Sequence, residues 1–270
     1  MECSQSLFDS ASVCLDATRP AAKLALTRRH AEAFAAGEVT LVGADSVVKP
    51  IGEPGRPSKP HLVAPRNLAQ RGLGSIEGRA ALVHAVAHIE FNAINLAWDA
   101  VYRFRGMPEA YYRDWVMVAD DEARHFGLVE ARLNELGFCY GDFDAHNGLW
   151  EMAEKTAHSC VERMALVPRV LEARGLDVTP GMIARLRSVG DNDTAEIFAL
   201  ILREEVAHVA AGSRWFAWGC EQRGLDPETT FDTLLKHHLP QGIKGPFNTD
   251  ARLRAGFSHT ELGRLHELAA

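Results

Sequence analysis

A chain of 270 residues with 47% hydrophobic content is long enough to enclose a full core, which excludes disorder as its overall state. A formal charge of -7 and a pI near 5.9 leave no broad basic field for wrapping nucleic acid or docking on an anionic membrane. The five cysteines (Cys3, Cys14, Cys139, Cys160, Cys220) are odd in number and form no C-x-x-C pair. That usage fits reduced thiols in a cytoplasm and gives no support to a thiolate zinc site. No basic start and apolar run marks a signal peptide, and no stretch of about 18 uninterrupted apolar residues is there to span a bilayer. The expected setting is soluble and cytoplasmic.

The first predicted helix covers residues 19–36, with Thr18 as a cap, Pro20 in the first turn and Gly37 as the stop. Between Pro50 and Pro65 five prolines exclude a long helix or central strand, so this stretch reads as an extended arm over the surface. Four long helical patterns follow, at about 77–104, 109–136, 147–173 and 191–220, and no comparable alternating strand pattern appears. The expected fold class is therefore all-α. Residues 1–74 form an N-terminal helix and arm, 75–222 the bundle, and 223–270 an extension. The last is Gly- and Pro-rich around LPQGIKGPFN and is expected to pack as irregular chain.

On the first long helix Glu90 shares its face with Val83, Val86, Ala87, Ile94, Ala97 and Val101, in the middle of an apolar stripe. The opposite face offers His84, His88, Asn92, Asn95, Asp99 and Arg103, a side expected to be wet that this glutamate does not use. A buried unpaired carboxylate costs several kcal/mol, so Glu90 must be protonated, paired or bound to a cation. The second helix repeats the anomaly: Tyr111, Trp115 and Val118 lead to Glu122 and His125, then to Val129, Leu133 and Leu136. Three residues apart, this pair presents a carboxylate and an imidazole one above the other. On the fourth helix Ile197 and Ile201 lead to Glu205 and His208, a second Glu-x-x-His inside an apolar stripe.

For the third helix Glu154, Glu162 and Glu172 compete. Glu162 shares its face with Lys155, His158 and Arg169, expected to be a solvated ion-pairing face. Glu172 lines up with Val161, Ala165 and Pro168, and its spacing to Glu205 matches that of Glu90 to Glu122 within one residue. Glu154 lies roughly 27 Å from Glu172 along an ideal helix, too far to join the same metals. After Glu172, Gly175 and Pro180 are expected to break the helix, with 181–189 continuing roughly in line.

Glu90, Glu122, His125, Glu172, Glu205 and His208 make the ligand set of di-iron and di-manganese carboxylate bundles, with oxygen donors and one imidazole per metal. Two Fe ions are the expected cofactor, with Mn as the alternative. A bundle whose buried Glu and His residues only hydrogen-bond one another would leave four carboxylates converging without a cation. Asp121 and Glu204, each preceding a motif glutamate, are assigned as partners that accept the free ring N–H of the histidine in the other motif.

These residues carry a resemblance. The stretches AHIE (87–90), DDEARHF (120–126), GDFDAHNGLWE (141–151), RMALVPRVLEARGLDVTP (163–180), REEVAHV (203–209) and KGPFN (244–248) resemble the ferritin-like superfamily, and most closely an uncharacterised bacterial family of unknown function within it. The resemblance covers roughly 75–258 and supports Glu172 over Glu162. It is similar also to a bacterial tRNA hydroxylase acting on a modified adenosine and, more remotely, to rubrerythrins and acyl-carrier desaturases. It implies metal and fold and says little about substrate. The expected function is an oxygen-activating oxidoreductase, a hydroxylase or oxidase acting on a small or tethered organic substrate with an unspecified electron donor. The alternative is a metal-handling or peroxide-scavenging protein in which iron is itself the substrate; a metal-stabilised interaction protein is a third. A tRNA substrate is weaker, since the basic clusters Arg28-Arg29 and Lys236 to His238 are small. No membrane partner is expected, and a homodimer is compatible with the pattern. Tyr102, Tyr111, Tyr112 and Tyr140 read as core or surface residues before redox groups.

Overall fold

The computed structural model describes residues 5–43 and 47–268. Cys3 and the outermost ends of the segments 1–74 and 223–270 lie outside the described residues. Among the described residues the chain is built of helices, with one two-residue strand pair, and it divides after Glu151 into two compact units.

The first unit opens with β1 (Gln5–Ser6) and α1 (Leu7–Asp16), whose first turn is capped by the Ser6 hydroxyl accepting from the Phe8 amide. Then come α2 (Pro20–Ala35) and β2 (Val39–Thr40), parallel to β1. The proline-rich arm runs extended and is fastened by its backbone: the Val63 amide donates to Ala145 O (2.8 Å) and the Ala145 amide to His61 O (3.0 Å). A long helix, α3 (Ile76–Arg103), starts where the Ser75 hydroxyl accepts from the Gly78 amide. It turns through Gly106 (φ 72°) into α4 (Glu109–Glu135). The two run antiparallel: the Tyr111 hydroxyl donates to Ala100 O (3.2 Å), and the Phe91 and Phe126 rings meet at 5.5 Å. The division between units falls within α5 (Gly148–Lys155).

The polar back of α3 is not wet. His84, His88, Asn92, Asn95 and Asp99 are all buried, because α1 packs on α3 and the loop after α4 closes over it. Each has a partner that makes burial tolerable. Buried Lys23 donates from Nζ to Cys14 O (2.7 Å), Leu15 O (3.1 Å) and Asn95 Oδ1 (2.6 Å). Asp99 accepts from Arg103, His88 Nδ1 lies 2.9 Å from the Tyr140 hydroxyl, and His84 Nε2 accepts from the Gly141 amide. Among the described helices α3 is long and apolar enough to cross a bilayer, and 72% of that stretch is buried inside the fold, as in a core helix.

The second unit runs from the end of α5 through α6 (Cys160–Leu166), a π-turn (Val167–Glu172) and α7 (Ala173–Ser188) to α8 (Asn192–Glu221). The expected helix at 147–173 is thus interrupted at 156–159, where Ser159 caps a new start. The expected break at Gly175 and Pro180 is absent, since α7 passes straight through both. Pro180 has no amide to give Leu176 O, and the Asn248 side chain donates to that carbonyl instead (3.1 Å). The irregularity sits earlier, in the π-turn, where the Ala173 amide reaches back to Pro168 O. The expected irregular tail is also corrected: α9 (Pro227–His238), α10 (Thr249–Arg254) and α11 (His259–Leu268) occupy much of it. They form because Phe231, Leu235, Ala251, Leu262 and Leu265 give them apolar faces to bury against the unit.

Candidate metal centre

Within the first unit, α3 supplies Glu90 and α4 supplies Glu122 and His125, one turn apart on its inner face. His125 Nδ1 stands 3.3 Å from Glu90 Oε2 and 3.6 Å from Glu122 Oε2. Ligand atoms of the three residues all lie within 4.8 Å of one another, and the residues are 4%, 1% and 0% exposed. Two carboxylates enclosed beside one imidazole carry more negative charge than a single protonated ring can neutralise, and desolvated charge of that kind is costly. A cation among them removes the cost. The donors are oxygen and nitrogen, which suits iron or manganese.

The second unit repeats half of this arrangement. On α8, His208 Nδ1 lies 3.2 Å from Glu205 Oε1, so both motifs turn the same ring edge toward their glutamate. His208 is fully buried and the Glu205 side chain is 12% exposed. Across from α8, Pro168 and Val161 approach Gly212 and Gly219 so closely that a Cβ on either glycine would lie 2.3 Å or 2.8 Å from them. Those pairs set an antiparallel register, and one turn beyond Pro168 it brings residue 172 level with 208. Glu172 ends the π-turn with one carboxylate oxygen enclosed.

The rejected glutamates are placed as follows. Glu162 is bonded to His158 Nε2 (3.1 Å) and His238 Nε2 (3.2 Å), and Glu154 is exposed. The face expected to be solvated around Glu162 is so only in part, because Arg169 is 2% exposed, drawn inward by Glu261 (2.7 Å) and by the Phe216, Phe231 and Phe257 rings. Asp121 Oδ1 accepts from Arg124 on its own helix (2.9 Å), and Glu204 is half-buried. No described thiol belongs to the metal-capable group, and burial pushes the Cys14 thiol up to about 12, so it stays protonated. Arg169 and Glu261 carry no local signal in the sequence, since the two partners stand 92 positions apart.

These features define an all-helical protein with a buried glutamate–histidine cluster suited to a hard metal ion. The chain belongs to the family described as "Protein of unknown function (DUF455)", which matches residues 16–263. It is also 48% identical over 219 residues to an "Uncharacterized protein" of Haemophilus influenzae, covering 78% of this chain and 76% of that relative. No solved structure matches.

Proposed function

We propose that the two ligand groups are the halves of a ferritin-like di-metal centre holding two iron ions, with manganese as the alternative. In this reading Glu90, Glu122, His125, Glu172, Glu205 and His208 are the ligands, and the protein is an oxygen-activating oxidoreductase. One observation carries it: two Glu-x-x-His pairs, each on an antiparallel helix pair, turn Nδ1 toward a carboxylate at 3.3 Å or 3.2 Å, beside a helix bearing a further glutamate. Bound iron would supply dioxygen activation for hydroxylation or oxidation of an organic substrate. The protein residues do the rest. Four carboxylates balance the charge of the ions, and the Nδ1 edges fix the ring orientation of both histidines. Asp121 and Glu204 take the remaining ring N–H groups, and Val118, Val129 and Ile201 keep water out.

Metal analysis of the purified protein tests this directly, with about two iron ions per chain expected. Glu122→Ala or Glu205→Ala should lower that content and leave the helical circular dichroism intact, because the long helices keep their apolar contacts. Full loading in both variants would sink the proposal. Dioxygen consumption that tracks added ferrous iron, with no organic product from cell extract, would favour the metal-handling alternative.

A further inference from the structure

We infer that residues 244–261 are a working part of the metal site: they clamp the π-turn that aims Glu172, and Arg169 is the positioning residue through which they do so. The inference rests on the metal reading above.

A π-turn holds one residue more than an α-turn, so its relaxation to regular helix would rotate the residues beyond it by about 100°. Glu172 would then leave the face turned to α8. Something must hold the wider turn, and residues 244–261 supply contacts on both sides of Glu172. Three residues before it, Arg169 is enclosed: Nη2 donates to Glu261 Oε1 (2.7 Å), Nε donates to Ser213 Oγ (3.2 Å), and the guanidinium lies 4.2 Å and 4.4 Å from the Phe231 and Phe257 ring centres. Glu261 is itself held, since Oε2 accepts from the Ser258 amide (2.8 Å). Two residues after Glu172, Arg174 donates to Lys244 O, Gly245 O and Pro246 O. Asp177 then accepts from Arg252 Nε (2.9 Å), Arg252 Nη2 (2.7 Å) and the Asn248 amide (2.9 Å).

If the aim were stability alone, apolar residues would serve as well, because buried ion pairs rarely gain more than they lose in desolvation. What such pairs do well is fix one register against its neighbours. Here they grip the helix on either side of Glu172, which a change of register would misplace.

The test uses the full chain and Co(II) as probe, read by its d–d absorption. Glu261→Gln keeps the shape of the side chain and removes its charge. It should weaken Co(II) binding about tenfold, the size of effect expected when a ligand's support is removed, and Glu261→Asp should restore part of it. Tyr112→Phe, which loses buried hydrogen bonds to Phe104 and Met107 at the far end of α4, is the control for mere destabilisation and should bind Co(II) normally. Should Glu261→Gln not fold, Arg174→Gln at the surface carries the same comparison. Co(II) binding unchanged by Glu261→Gln, or weakened equally by Tyr112→Phe, would overturn the inference. If the wild-type chain takes up no Co(II), the metal reading fails, and hydrogen exchange decides the clamp: amides 169–173 should exchange faster in Glu261→Gln, and unchanged protection there overturns it.

Discussion

The two helices that carry a lone glutamate solve the same problem differently. Glu90 sits in the middle of α3, a regular helix of 28 residues whose second half is buried without a break from Glu90 to Tyr102. Glu172 sits at the end of a π-turn between two shorter helices. A buried carboxylate on a straight, surrounded helix needs no further device, since every neighbouring side chain already fixes the helix's rotation. On an irregular helix the rotation is a separate degree of freedom, and it is set here by ion pairs and by the Pro168 ring seated against Gly212. The lesson is that equal spacing of glutamates along a sequence does not imply equal mechanical support.

The comparison breaks most sharply at Asp177. Asp177→Ala strands the Arg252 guanidinium, itself fully buried, and should cost about 3–5 kcal/mol in denaturant unfolding. The two partners stand 75 residues apart in the sequence. Gly212→Ala comes next: the added Cβ would lie 2.3 Å from Pro168 Cγ, so the π-turn must shift, at about 1–3 kcal/mol and with weakened metal uptake. A third measurement probes the enclosure of α3 by pH. Burial pushes His84 down from 6.5 to about 4, so the folded chain prefers the neutral ring while the unfolded chain protonates at the ordinary value. Its contribution is complete above pH 6.5 and is lost as pH falls toward 4. The thermal midpoint should fall over that window, and His84→Asn should flatten the slope by up to about one proton. The smallest effect is expected from Gly127→Ala on α4, where the nearest atom to a new Cβ is Leu24 Cδ2 at 3.8 Å. It should stabilise by about 0.5–1 kcal/mol, as removal of a mid-helix glycine does, and so sharpen the contrast with Gly212.

Periodicity made the long helices legible to within a residue or two at most of their ends, and it singled out Glu90, Glu122 and His125 because each interrupts an apolar stripe. It failed where a tertiary partner overrides a local rule. His84, Asn95 and Asp99 read as a wet face, yet Gly141, Lys23 and Arg103 satisfy them inside. Pro180 read as a helix stop, yet Asn248 supplies the missing donor from 72 residues away from Leu176. The π-turn could not be seen either, since an added residue in a turn changes which residues share a face without changing their composition. Arg169 therefore reads as solvent-facing in the sequence, although it is enclosed. The tail helices are hard to see in the sequence because the Gly- and Pro-rich stretch 239–248 separates the apolar positions of α9 from those of α10 and α11.

The long reach of the Arg169–Glu261 pair also has a consequence for synthesis. The two residues are 92 positions apart, so at roughly 5–20 residues per second Glu261 is made about 5–20 s after Arg169. Glu90, Glu122 and His125 belong to a unit whose last fastening, Trp150 to Gly52, is already translated by then. The triad on α3 and α4 can therefore form before the residue that holds Arg169 has been made.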